Sequence, residues 1–215
     1  MTRIKICCIA SVREAHLAID AGADALGLVG DMPTGPGVID EATAADIAEV
    51  APPTVASFLL TSHSTAPAIA EHALRVGANT IQVVRHVEPG VHDELDSLLP
   101  RAVRRVQVVH VEDESALDIF ETYADRVHAF LLDSGSPTTD EFGGTGRTHD
   151  WEISREFVTR SSVPVFLAGG LTPENVARAV GIVRPFGVDV CSGLRPNGAL
   201  DPGRLSAFVE AVRSV

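Results

Sequence analysis

Short apolar runs alternate along the chain with segments whose apolar positions recur at helical spacing, and the alternation continues from one end to the other. Residues 5–9 form the first run. Ser11 then caps a helix, with Glu14 three residues on as in a capping box, and that helix reaches Ala21 and stops at Gly22. Runs at 25–30, 54–60, 80–85, 105–111, 127–132, 163–167 and 188–191 read as buried strands. Helices are expected over 41–50 behind Asp40, over 64–77, over 91–98 with Pro100 as the stop, over 112–124 and over 151–160. Thr172, Pro173 and Glu174 open the next helix with a cap, a proline and an early acid, and Pro202 opens the last, which ends near Val215. Residues 31–38, DMPTGPGV, form a Pro/Gly loop.

These are eight strand–helix units spaced by roughly 25 residues, which predicts an α/β protein folded as a (β/α)8 TIM barrel, with residues 1–215 as one domain. The stretches GADALGLV and GANTIQVV repeat one signature: a helix-stopping glycine, a short polar link and a buried strand. A doubly wound sheet needs only about six strands, and its GxGxxG fingerprint is absent.

Composition narrows the partners. Asp and Glu outnumber Lys and Arg by 29 to 17, a formal charge of −12, which disfavours a nucleic-acid backbone or an anionic membrane. A local site can still oppose that field and hold a small anion. Lys5 is the one lysine; every other basic residue of that kind is arginine. The three cysteines, Cys7, Cys8 and Cys191, are odd in number and irregularly spaced, which argues against a disulfide framework. Adjacent Cys7 and Cys8 on a strand would face opposite sides and make a poor metal pair, so Cys8 and Cys191 are expected to be small buried packing residues. The opening MTRIKICCIAS does not read as a signal peptide, and no stretch reaches membrane-spanning length, so the expected compartment is the cytoplasm.

In a barrel of this kind chemistry gathers where the strands end. The residues there include Cys7, Asp31, Thr61, Gln82, Arg85, His110 and Asp133. After Asp133 comes a glycine-rich turn, Gly143, Gly144, Thr145 and Gly146, followed by Asp150 and Trp151 at a helix start. The turn lacks the lysine of a Walker loop. Ala168, Gly169 and Gly170 after the seventh run, and Ser192 and Gly193 after the eighth, repeat the pattern of small residues behind an apolar strand. Small residues let an oxyanion reach backbone N–H groups, and the loops after strands seven and eight are the usual phosphate cup of the fold. The three loops together predict phosphate binding. His63, His86, His92, His128 and His149 show no metal-ligand spacing, and no metal is expected.

The motifs at these positions give the chain a resemblance to the phosphoribosylanthranilate isomerase family over nearly its whole length. KICCI resembles the family's KICG, and LLDS at Leu131 to Ser134 resembles its acid-bearing sixth strand. GGTGRTHDW resembles GGTGKTFDW, LAGGLTPENV is close to the family's wording, and GVDVCSGLR resembles GVDVSSGVE. The resemblance implies a barrel enzyme of tryptophan biosynthesis that isomerises an aminoaldose phosphate by an Amadori rearrangement, without a cofactor. It implies Cys7 as general base and Asp133 as general acid. It also implies a small anionic phosphosugar as the partner, held by a monomer or a homodimer.

Four positions depart from the family pattern. Cys8 replaces the glycine of KICG, and QLHG reads Gln82, Val83, Val84, Arg85. The glutamate after SSG is Arg195. The second-strand loop reads Gly35, Pro36, Gly37 where the family carries an arginine for the anthranilate carboxylate. Arg85 and Arg195 are therefore the candidate carboxylate contacts. Two other readings remain open at this stage: an isomerase of a different phosphosugar, and a phospholigand-binding barrel without catalysis.

Overall fold

The computed structural model describes residues 1–32, 36–134 and 148–215. Eight parallel strands close into a barrel in sequence order: β1 (Arg3–Ile6), β2 (Ala25–Val29), β3 (Ala56–Thr61), β4 (Thr80–Val83), β5 (Arg104–His110), β6 (Ala129–Asp133), β7 (Val165–Leu167) and β8 (Gly187–Val190). The helices α1 (Val12–Asp20), α2 (Glu41–Val50), α3 (Ala66–Val76), α4 (Pro89–Leu98), α5 (Ala116–Tyr123), α6 (Trp151–Arg160), α7 (Val176–Val183) and α8 (Pro202–Arg213) follow the strands in turn, and a 3-10 turn, Ser192–Leu194, precedes α8. The predicted (β/α)8 barrel is thus the observed fold. Among the described residues no helix is long and apolar enough to cross a membrane.

The two-residue alternation of each strand sorts its side chains into two cores. Ile4, Ile6, Leu26, Leu28, Leu59 and Ile81 face outward and pack with the helices. Ala25, Phe58, Val106, Val108, Leu131 and Phe166 face inward and fill the barrel, with Phe58 and Phe166 edge to face at 5.6 Å. Lys5 and Asp189 belong to the same inward rows. The register sets them side by side across the β1–β8 seam, Lys5 opposite Asp189.

Helix ends follow the sequence where a side chain makes the cap. Ser11 accepts from Glu14 N, Asp40 from Thr43 N and Asp201 from Arg204 N, and α2 and α6 have the predicted bounds. Other boundaries differ by a residue or more, three of them for a local reason. Strand β1 ends at Ile6, because Cys8 takes a left-handed φ of 61° that no strand continues. Helix α5 begins only at Ala116, after a turn in which Asp113 accepts from Ser115 N at 2.8 Å. Helix α7 begins at Val176, not at Thr172. Asn175 accepts from Thr172 N at 2.8 Å and donates to Gly170 O at 2.9 Å, so Thr172 to Glu174 form a turn that is tied to the β7 loop.

Candidate active site

Lys5 carries the buried charge nearest the start of the site. It is fully enclosed, and its Nζ lies 2.9 Å from Asp189 Oδ2. Two residues on, Cys7 is again inward and buried. A Cβ built on Gly27 of β2 would lie 2.7 Å from Cys7 Sγ and 3.1 Å from Lys5 Nζ, so sulfur and ammonium border one small gap that glycine keeps open. Burial pushes the Cys7 thiol up to about 11, against the pull of the Lys5 charge, while Asp189 adds to the rise. Lys5 itself, despite burial, is raised by the charges of Asp189 and Cys7.

Asp133 closes β6 and pairs in register with His110, the last residue of β5. Its Oδ1 accepts from Ser134 N at 2.7 Å. Burial pushes its carboxyl up to about 6; the Ser134 hydrogen bond opposes this, Asp189 reinforces it and Lys5 opposes it. Cys7 and Asp133 therefore both sense the Lys5–Asp189 pair. His110 turns its Nε2 toward Val84 O at 3.2 Å, and burial holds its pKa below the usual histidine value.

The cysteines depart from the sequence expectation. Cys8 and Cys191 are joined as a disulfide, with Cα atoms 5.9 Å apart, and Cys7 is the free thiol. Cys7 and Cys8 do not point to opposite faces, because the chain leaves the strand after Ile6 and the left-handed Cys8 turns back into the barrel cluster. Sequence spacing could not show this, since the two bridged residues meet only when β8 closes on β1. The left-handed Cys8 also explains why a glycine suits this place in the related motif. Gly37, on the described part of the second-strand loop, packs directly on Cys8: a Cβ there would lie 2.5 Å from the Cys8 Cβ.

The loops after β7 and β8 meet around a cavity of about 300 Å3 lined by Gly170, Leu171, Thr172, Ser192, Gly193 and Arg204. Gly169 and Gly170 both take positive φ, 80° and 60°, next to Ala168 at the end of β7. Gly193 has no room for a side chain, since a Cβ would fall 2.0 Å from Leu171 O. Arg204, at the start of α8, was not anticipated from the sequence; its Nε donates to Gly193 O at 2.7 Å and its Nη2 pairs with Glu174. Gly143, Gly144, Thr145 and Gly146 lie outside the described residues, as does Gly35. Another cavity, about 680 Å3, opens at the amino ends of the strands between Arg3, Phe58, Arg104, His128 and Phe166, and none of the candidate residues lines it.

The two candidate arginines differ in circumstance. Arg85 is half-buried just past β4, where its Nε donates to Ser62 O at 2.9 Å and Gln107 holds its carbonyl at 2.8 Å. Arg195 makes a two-pronged pair with Glu14 at 3.0 and 2.7 Å, and the side chains are only 7% and 15% exposed. Ala10 N and Leu200 N also donate to Glu14. Burial would raise the Glu14 carboxyl, but Arg195 and the two backbone donors hold it below the usual range. Arg195 is thereby turned to α1 as a strut. Lys5 and Asp189 were the other residues overlooked; the signal was present as a single lysine inside an apolar strand.

A sequence model of the N-(5'-phosphoribosyl)anthranilate (PRA) isomerase family matches residues 4–211. The chain is 40% identical over 211 residues to the N-(5'-phosphoribosyl)anthranilate isomerase of Haloarcula marismortui, covering 97% of this chain and 95% of that one. It is 42% identical over 219 residues to the enzyme of the same name from Halobacterium salinarum, at 97% and 94% coverage. Among solved structures, phosphoribosyl anthranilate isomerase from Thermotoga maritima superposes with a TM-score of 0.86 at 28% identity over all of both chains. A phosphoribosyl anthranilate isomerase in complex with reduced 1-(o-carboxyphenylamino)-1-deoxyribulose 5-phosphate gives 0.83 at 26% identity, again over all of both chains.

Proposed function

Because the chain belongs to the N-(5'-phosphoribosyl)anthranilate isomerase family and is an isomerase of phosphoribosylanthranilate in tryptophan biosynthesis, we propose that Cys7 and Asp133 are the groups that move its protons. The reaction needs two such groups. An acid protonates the furanose oxygen as the C1–O bond breaks and the anthranilate nitrogen forms a Schiff base to C1. A base takes the proton from C2, and the resulting enolamine tautomerises to the 2-ketose. Asp133 is suited to the first step, since burial keeps its carboxyl proton to about pH 6. Cys7 is suited to the second, as a nearly dry thiol beside a fixed cation. The observation that carries this reading is that both groups stand at the carboxyl ends of their strands and share one buried ion pair.

The cavity at Gly170, Ser192 and Gly193 supports the phosphate end of the substrate there, with Gly169 and Ala168 behind it. Arg85, half-buried just past the carboxyl end of β4, is the contact this reading gives to the aromatic carboxylate; Arg195 is turned to Glu14. A biosynthetic role supports a cytoplasmic setting, and the assembly is a monomer or a homodimer. Turnover of phosphoribosylanthranilate by Cys7→Ser and Asp133→Asn, followed through the fluorescence of the anthranilate group, tests the assignment.

A further inference from the structure

We propose that Lys5 is a positioning residue for the base: its ammonium, clamped by Asp189 and set against the Cys7 sulfur, is the counter-charge that allows a thiolate inside the barrel. This rests on Cys7 being the base. Four observations carry it. First, the chain otherwise uses arginine wherever it uses a strong cation, yet the one lysine stands here. A planar guanidinium presents a wider fork than an ammonium, and the gap beside Gly27 is narrow, with a built Cβ 3.1 Å from Lys5 Nζ.

Second, the pair is poorly explained as scaffolding. Lys5 is wholly buried, and burial of an ammonium costs several kcal/mol before pairing. Beyond Asp189 and the Cys7 sulfur, Lys5 Nζ has no hydrogen-bond partner among the described residues, and neither has Asp189 Oδ1. Buried pairs that serve stability are normally satisfied all round. Third, the spare face of the ammonium and the Cys7 sulfur meet over Gly27, where a side chain would touch both. Fourth, among the described residues the charges acting on Cys7 are few. Strand β8 offers Asp189 and β2 at Gly27 offers none, so Lys5 is the cation of this described set. Asp189 keeps Lys5 charged, and Lys5 in turn lowers the cost of forming the thiolate.

Cys7 is the chain's free thiol, so its ionisation can be read without substrate, from the pH dependence of alkylation by iodoacetamide in the folded, disulfide-bonded protein. Lys5→Met is expected to move that titration alkaline by about one unit or more, and to lower the plateau of kcat/KM for phosphoribosylanthranilate by about tenfold or more, with KM little changed. Lys5→Met/Asp189→Asn leaves no unpaired buried charge; because Asp189 itself raises the Cys7 thiol, the double variant should show both effects with the same sign but smaller than Lys5→Met. An unmoved alkylation titration in either folded variant overturns the role of Lys5. A moved titration with parental kcat/KM, or parental turnover by Cys7→Ser, instead overturns Cys7 as the base.

Discussion

Cys8 and Cys191 are bonded to each other across the seam where β1 meets β8, 183 positions apart in sequence. In the chain-entropy account, a loop of that length removes about 5 kcal/mol of disorder from the unfolded state. Thermal unfolding with a dithiol reductant should therefore occur roughly 10 °C lower than without it, and Cys191→Ser should match the reduced protein. Calorimetry checks this. Thiol titration of the unreduced, denatured chain should find Cys7 alone; titration of all three cysteines would remove the bond from the account.

The two proton-moving groups set a specific pH profile. The productive form pairs Cys7 thiolate with protonated Asp133. With Asp133 near 6 and Cys7 near 11, that form is the minor one. Below the Asp133 value the thiolate fraction falls tenfold per unit while the acid stays protonated, so the rate falls with acidity. Between the two values the opposing fractions cancel, and above the Cys7 value the loss of Asp133 protons dominates. The rate of the free enzyme should therefore rise to about pH 6, stay level and fall beyond about pH 11. Cys7→Ser and Asp133→Asn should each lower kcat by about 10² or more, and Asp133→Asn should lose the break near pH 6, its residual rate rising with the Cys7 thiolate toward about pH 11. Steady-state kinetics across pH in both variants decides it; a break kept near pH 6 in Asp133→Asn would assign that break to another group.

The arginines separate by what each loss damages. Arg85→Ala should raise KM for phosphoribosylanthranilate about tenfold, the scale of a charge-assisted contact, and leave inhibition by inorganic phosphate unchanged. Arg195→Ala strands the buried Glu14 carboxylate and should cost roughly 3 kcal/mol of stability with little change in KM. Denaturant melts and initial rates on the two variants distinguish the roles. A KM rise confined to Arg195→Ala would reverse them.

At the phosphate end, Gly193→Ala forces its Cβ against the Leu171 carbonyl, 2.0 Å away as the backbone stands. The loop must shift, and affinity for phosphate as a competitive inhibitor should fall at least about tenfold, since donors displaced by about an ångström lose most of their bond. Gly90→Ala is the control: it lies in α4 with nothing within 4 Å of the added atom. Equal inhibition constants for both variants would place the phosphate elsewhere.

What could be read in advance follows the range of the cause. Helices α2 and α6 matched their expected bounds because Asp40 and Asp150 mark their starts within the local sequence. The barrel itself was legible because its period is repeated eight times. Strand β1 was misjudged because one left-handed residue, Cys8, ends it, and hydrophobicity carries no sign of that. The start of α7 was misplaced because the amide of Asn175 competes with the cap expected of Thr172. The bridge between Cys8 and Cys191, the Lys5–Asp189 pair and the engagement of Arg195 by Glu14 share a cause: each depends on β8 or its loop returning to the first strand–helix unit. Motif wording could suggest Cys7 and Asp133, but not the ion pair that links their electrostatics.

The solitary, enclosed Lys5 also makes the chain its own reporter. A lysine-directed protease has one cleavage point in these 215 residues, and folding hides it in the barrel wall. The surface that meets solvent offers arginines alone, so such an enzyme finds nothing to cut on the native molecule. Cleavage after Lys5 would therefore time the departure of β1 from its neighbours β2 and β8, molecule by molecule, without any added label.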